Sequence, residues 1–455
     1  MHDDQRSEER TRPSSFGKTL FGLALPVLPV LAAEPIYLLV DGVVVGRVGS
    51  TELAALGVGS LLLTLLGTQM NFLSYGTTAR AARFFGAGRT DLAVREGLQA
   101  SWIAGGVGLA VVTVLLVFVG PITGALTPDP HVAQMARNWL HIAAWGIPLI
   151  LLTAAGNGWM RGVQRTRGPL AFVVGGIAVS TALCFALVLG LGPFPELGLQ
   201  GSAIANVVGQ ACAASGMLAA LFAQKHRYGL SLRPLPDVIA TQLRLGGNLI
   251  VRTAAFQVTF FAATKTAGEA GNATLGAHHL GGQVWNLISL VLDSVAIAAQ
   301  AVVGQALGAE DRERVRRFTR LTVTWSLGLG VVLAIAIAVL HGPIVSLLTS
   351  DPEVAERFRV AVFAAALLCI PASVVFGLDG VLLGAADAAF LRRLTVVTAL
   401  GCYLPVLIAT HYFGWGLEGI WAGLGAFILG RLVGVALRAR SDTWMRMGTP
   451  QGGST

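Results

Sequence analysis

Charge is scarce in this chain: Asp, Glu, Lys and Arg make up 12% of 455 residues, against 54% hydrophobic, where soluble domains carry roughly 25% charged residues. A water-soluble globule is thereby excluded. Only four cysteines occur, Cys184, Cys212, Cys369 and Cys402, and all fall inside apolar runs. They read as small buried hydrophobes, not as disulfides or metal ligands. Metal-ligand spacings and nucleophile-elbow motifs are missing, so neither an enzyme nor a bound metal or cofactor is expected. The formal net charge is +8, yet the basic residues never gather into one patch, and nucleic acid is not an expected partner.

Long apolar runs, by contrast, are plentiful, and the mean hydropathy is +0.69. Runs longer than the roughly 20 residues that cross a bilayer recur along the chain. In lipid they must be helices, because a lone strand or open loop leaves backbone groups unpaired. The basic residues follow the connections. Arg6, Arg10, Arg12 and Lys18 lead the first helix, and Arg80, Arg83, Arg89 and Arg95 flank the second connection. Further groups mark the fourth (Arg161, Arg165, Arg167), sixth (Lys225, Arg227, Arg233), eighth (Arg312 to Arg320) and tenth (Arg392, Arg393). Connections such as "GPITGALTPDPH" and "HGPIVSLLTSDPE" carry no Lys or Arg. The positive-inside rule then gives twelve transmembrane helices with both termini cytoplasmic, in the inner (plasma) membrane. A cleaved leader ending near "LPVLAAE" is disfavoured because the apolar run continues past Ala33.

"GPITGALTPDPHVA" begins at 120 and "GPIVSLLTSDPEVA" at 342, positions that differ by 222. At the same offset "VGSTELAAL" (48–56) aligns with "AGNATLGAH" (270–278), and "FGAGR" (85–89) with "LGAED" (307–311). "GLQG" (198–201) and "GLEG" (416–419) match with a small slip. The chain is therefore a duplicated six-helix unit. The expected division is a tail at 1–15, an N-terminal lobe at 16–224, a cytoplasmic linker at 225–238, a C-terminal lobe at 239–440 and a tail at 441–455. Six is even, so the lobes have parallel topology about a pseudo-twofold axis along the membrane normal. The expected fold is an all-α integral membrane protein, built as transporters are, with lobes that rock about a cleft.

Polar residues within the apolar helices stand out. Glu34 and Asp41 lie seven residues apart in the first helix among Pro26, Pro29 and Pro35, which predicts two carboxylates on one face of a bent helix. An intramembrane acid costs about 2.5–3.5 kcal/mol on insertion scales, so that face should look onto protein or water. Dry surroundings favour the protonated form, and bending would move the acid between wet and dry states. The rival reading leaves Asp41 hydrated at the outer interface and makes Glu34 purely structural. The second half offers Arg252, Gln257, Asp293 and Asp379. Arg252 and Asp293 fall at similar depth on consecutive helices, which predicts a structural salt bridge. At the offset of 222, Asp293 aligns with Asn71 and Asp379 with Asn157. His278 and His279 read as solvated residues near the outer start of helix 8.

"EPIYLLVDGVVVGRVGSTELAALGVG" resembles the first-helix signature of the MATE (multidrug and toxic compound extrusion) transporters. "LGAHHLGGQVWNLISLVLDSVAIAAQAVVGQALGAEDRERVRRF" resembles helix 8 and the following loop in the branch typified by the DNA-damage-inducible protein F. "VFGLDGVLLGAADAAFLRR" and "GLEGIWAGL" extend the likeness from about residue 16 to 440. The resemblance implies an exporter of amphipathic cationic drugs or toxins, exchanged for H⁺ or Na⁺, with Asp41 as the main cation-coupling residue. Where many relatives carry Asn and Asp in helix 5 this chain has Ser180 and Cys184. Asn206 stands where Thr is common, and Gln257 where one branch has an acid. A Na⁺ cage wants several hard oxygen ligands and a proton needs one carboxylate, so H⁺ is the expected coupling ion. The chain is expected to act as a monomer in the lipid bilayer. A flippase for a lipid-linked precursor shares the helical plan but should line its cleft with cations, and Arg252 is the only arginine that reads as deep within a helix. A channel is disfavoured, since no pore-lining ring of charge is visible.

Overall fold

The computed structural model describes residues 13–450; most of the expected N-terminal tail, with Arg6, Arg10 and Arg12, and the last five residues lie outside the described residues. The elements are α1 (Pro13–Ala24), α2 (Val27–Gly46), α3 (Ser50–Met70), α4 (Phe72–Gly86), α5 (Thr90–Leu126), α6 (Pro130–Ala143), α7 (Gly146–Gly162), α8 (Arg167–Leu189) and α9 (Leu199–Arg227). They continue with α10 (Pro236–Glu269), α11 (Asn272–Gly308), α12 (Arg312–Leu348), α13 (Pro352–Gly384), α14 (Ala388–Thr398), a π turn at Ala399–Tyr403, α15 (Leu404–Phe413) and α16 (Gly416–Arg440). No strand occurs among the described residues.

Ten helical segments among the described residues are long and apolar enough to cross a membrane, and α6 with α7, bent by 47°, makes an eleventh. α10 is not among them. Its 34 residues are long enough, but Gln242, Arg244, Asn248, Arg252 and Gln257 lower its hydropathy.

The duplication is written into the turns. Asp129 caps α6, its Oδ1 accepting from the amides of His131 (2.8 Å) and Val132 (3.4 Å), and Asp351 caps α13 in the same way through Glu353 (2.9 Å) and Val354 (3.2 Å). Each aspartate is followed by proline at the first helical position, where the missing N–H costs nothing. Left-handed backbone recurs at the same spacing of 222, at Gly88 and Glu310 and at Gln164 and Ala386. "TPDP" and "TSDP" are thus one capping device used twice.

Two compact units result: an N unit, Leu25–Gly246, and a C unit, which joins Gly247–Gly448 to the opening segment that contains α1. The boundaries, after Ala24 and after Gly246, are again 222 residues apart. Within the C unit, Gly17 of α1 lies so close to Trp325 of α12 that a Cβ there would sit 2.4 Å from the ring, and Phe21 meets the same indole edge-on at 5.3 Å. Within the N unit, Gln242 at the start of α10 donates to Glu96 Oε2 (2.6 Å). Glu96 in turn holds Arg80 by two hydrogen bonds of 2.7 Å, with all three side chains buried.

Each unit also ends in a strap. The linker is fixed to α5 by Gln99, bonded to Arg233 O (3.1 Å) and Leu235 N (2.8 Å), and by Trp102, whose indole donates to Leu232 O (2.8 Å). After α16, Asp442 pairs with Arg316 (2.5 Å) and Arg312 (3.5 Å), and Gly448 N reaches Leu307 O (3.0 Å).

Candidate functional site

In the N unit the break at Leu25 and Pro26 separates α1 from α2, and Pro35 interrupts the backbone hydrogen bonding inside α2. Tyr37, Asp41, Val44 and Val45 form the buried stripe of α2, with the i, i+4, i+7, i+8 spacing of one helix face. α8 and α9 pack tightly against each other: a Cβ on Gly209 would sit 2.5 Å from Ser180 Cβ. That closeness brings residues of both helices to Asp41.

Asp41 is 1% exposed, which removes the reading of a hydrated, idle acid at the outer interface. Ser202 of α9 donates to its Oδ2 (2.8 Å) and the Cys184 thiol of α8 to its Oδ1 (3.2 Å). The Trp139 indole of α6 donates to Ser202 Oγ (3.3 Å), completing a chain of donors that ends on the carboxylate. Both partners of Asp41 are neutral and both direct hydrogens at it. Ser180 and Asn206 lie next to the buried Tyr37 hydroxyl, which has no hydrogen-bond partner among the described residues, nor has Ser180 Oγ. The structure therefore brings Asp41, Cys184, Ser180 and Asn206 together and adds Ser202, Tyr37 and Trp139.

Glu34 does not join them. Its side chain is exposed while Asp41 is buried. A seven-residue spacing superposes two side chains only on a regular helix, and Pro35 lies between these two.

In the C unit the expected partner of Arg252 is corrected. Arg252 of α10 donates from Nη2 to Asp379 Oδ2 (2.5 Å), so its ion pair runs to α13 instead of to Asp293 on the consecutive helix α11. Similar depth on consecutive helices pointed to Asp293, but depth says nothing of azimuth, and α13 is the helix that presents its carboxylate to Arg252. Gly380, whose Cβ would lie 2.2 Å from Ala296 O, lets α13 lie directly on α11 at this level. Arg431 of α16 donates to the same Oδ2 of Asp379. Arg431 is 4% exposed, so Arg252 is not the only arginine deep within a helix.

Aromatic rings enclose the group. Arg431 lies over Phe256 (4.8 Å) and near Phe427 (5.8 Å), and Arg252 is 5.6 Å from the Phe256 centroid. Phe256 and Phe427 meet edge to face at 5.5 Å, and Tyr403, placed by the π turn, lies 6.0 Å from Phe427. Gln257 and Asp293 are half-buried in the same unit. At the α10–α11 turn of the unit, His278 and His279 line a cavity of about 480 Å³ with Thr264, Asn272, Leu275 and Gly276.

Among known proteins, the MatE family model matches this chain twice, over residues 26–186 and 249–408. Protein DETOXIFICATION 44, chloroplastic, of Arabidopsis thaliana is 31% identical over 444 residues, covering 94% of this chain and 83% of that protein. DNA damage-inducible protein F of Escherichia coli is 27% identical over 444 residues, covering 95% and 94%. Among solved structures, a MATE protein in the bent conformation superposes with a TM-score of 0.84 at 18% identity over 93% of both chains. The Vibrio cholerae MATE transporter VcmN in its bent form gives 0.81 at 19% identity over 95% and 98%. With two family matches that divide as the internal repeat does, a two-unit helical fold and a buried helix 2 aspartate held by neutral donors, this chain belongs to the MATE family of multidrug and toxin efflux transporters.

Proposed function

We propose that the protein is a proton-driven antiporter that exports amphipathic small molecules as a monomer of the inner (plasma) membrane, by rocking of its two six-helix lobes. The amphipathic cations implied by the family likeness are the first cargo to test. The observation that carries the coupling reading is the environment of Asp41. A carboxylate buried among neutral donors can bind and release one proton without breaking an ion pair. Na⁺ would need lone pairs turned towards it, whereas the Ser202 hydroxyl and Cys184 thiol both turn hydrogens towards Asp41. Glu34, exposed on the same helix, suits a relay nearer the water. A lipid-linked precursor flippase gains Arg431 as a second cation, but Asp379 neutralises one of the two, which leaves too little charge for a pyrophosphate headgroup.

The test is efflux from sealed proteoliposomes under one gradient at a time. Export of a cationic dye should follow a pH gradient and be unchanged when K⁺ or choline replaces Na⁺ at fixed ionic strength. Robust, ionophore-insensitive export driven by Na⁺ alone at equal pH would overturn proton coupling. Orientation has its own check in intact cells. Cysteines placed by Thr127→Cys and Ser350→Cys, beside the two aspartate caps, should react with impermeant reagents from outside. Ala309→Cys, in the basic connection before α12, should not. Labelling of Ala309→Cys alone from outside would invert the topology.

A further inference from the structure

Asp379 is asked to balance two guanidiniums at once. Arg252 and Arg431 both donate to its Oδ2, and arginine stays protonated in proteins, so the triad carries one positive charge in excess. Three of its buried polar atoms are unused: Asp379 Oδ1, Arg252 Nε and Arg431 Nε have no hydrogen-bond partner among the described residues. A structural ion pair needs one arginine. A second one buried beside it is costly in low dielectric until a counter-charge arrives.

The excess charge is also the property that distinguishes the second copy of the repeat from the first. At the offset of 222, Arg252 aligns with Val30 and Asp379 with Asn157, while Asp41 aligns with Ala263; at the offset of 218 that holds in the last helix of each half, Arg431 aligns with Ala213. Each copy has placed charge where the other has none, and the two have opposite sign. Access is through Arg252: its side chain is 15% exposed, against 4% for Arg431 and 6% for Asp379. Arg252, Thr253, Phe256 and Gln257 are all half-buried, so this face of α10 is reachable.

We infer that the C unit binds an aromatic carboxylate, the carboxylate accepting from Arg252 and its ring packing on Phe256, so that singly anionic aromatic compounds are cargo of this transporter. This rests on the export reading above. A guanidinium carries five N–H donors in a fixed fork, and one of those on Arg252 is engaged by Asp379. The rest suit a planar anion. Phe256, half-buried and approached by both guanidiniums, offers the apolar area that a bare inorganic anion would not use, and Phe427 backs it from the core.

The experiment is equilibrium binding to the purified full chain in micelles, by titration calorimetry, with empty micelles as blank. 2-Naphthoate and its neutral isostere 2-naphthamide are the probes, and sodium chloride is the competing small anion. 2-Naphthoate should bind at least about tenfold more tightly than the amide, the loss expected when a hydrogen bond to a charged group is removed. Arg252→Gln should weaken naphthoate binding by about tenfold or more with an unchanged melting temperature, and Arg252→Lys should fall between, since it keeps the charge and loses the fork. Equal binding of acid and amide, or an Arg252→Gln protein that binds naphthoate as before, would overturn the proposal. So would chloride competing as effectively as naphthoate, because the aromatic body would then contribute nothing. No gradient is imposed, so failure here is separate from failure of pH-driven efflux, which would count against the coupling reading alone.

Discussion

Asp379→Asn should be the most destabilising single substitution in the C unit, by about 3–5 kcal/mol, the range found when one partner is removed from a buried ionic group. The amide keeps the shape of the carboxylate but leaves Arg252 and Arg431, both recorded on Oδ2, facing each other unbalanced among Phe256 and Phe427. Arg252→Gln should behave oppositely. It leaves one guanidinium on one carboxylate, a neutral pair, and should shift the unfolding midpoint little. Combining the two changes should recover part of the loss of Asp379→Asn, which a double-mutant cycle on thermal or denaturant unfolding in micelles would measure. If the two single variants unfold alike, the arginines do not share the acid.

The largest functional effect is expected from Asp41→Asn. Asparagine fits the same space and can still accept from Ser202 or Cys184 through its single carbonyl oxygen, so insertion and folding should persist. It does not titrate. pH-driven efflux should fall to the level of empty vesicles while the protein remains monodisperse, and a well-folded Asp41→Asn protein that exports at the normal rate would remove this residue from the coupling step. Ser202→Ala is the graded companion. It takes one donor from the carboxylate and leaves the Trp139 indole without its acceptor, so it should shift the pH dependence of efflux without abolishing it.

The fold was legible where chain chemistry is local. Aspartate followed by proline, repeated at 129 and 351, marks two helix starts by itself, and the turns at 88 and 310 recur at the same spacing. Asp41 was legible because an acid deep in an apolar run calls for protein or water around it. Its partners were less so. Hydroxyls in membrane helices usually satisfy themselves on the preceding turn, as Thr123 and Thr319 do here on Val119 and Val315, and nothing in "GLQGSAIAN" says that Ser202 reaches across to another helix instead.

The arginine pairing was hidden for a different reason. Counting residues from the membrane surface gives depth but not the direction in which a side chain points, so a matching depth on the consecutive helix pointed to Asp293. The true partner is 127 residues away in sequence. The expectation named Arg252 alone as a deep arginine and left Arg431 out. Its position nine residues before the end of a 25-residue helix was the signal that it lies deeper.

The boundaries after Ala24 and Gly246 carry a consequence for how the polypeptide can be divided. Each half of the sequence opens with a helix whose first turns are housed by the other half: α1 with Gly247–Gly448, and the beginning of α10 with Leu25–Gly246. Cutting the linker would therefore produce two fragments that are each incomplete, one holding the helix that covers Trp325 and the other holding Gln242, the donor to buried Glu96. Neither fragment contains all of its own fold. Each half of the sequence thus lends the start of its opening helix to the fold of the other, an exchange of the kind that domain-swapped dimers make.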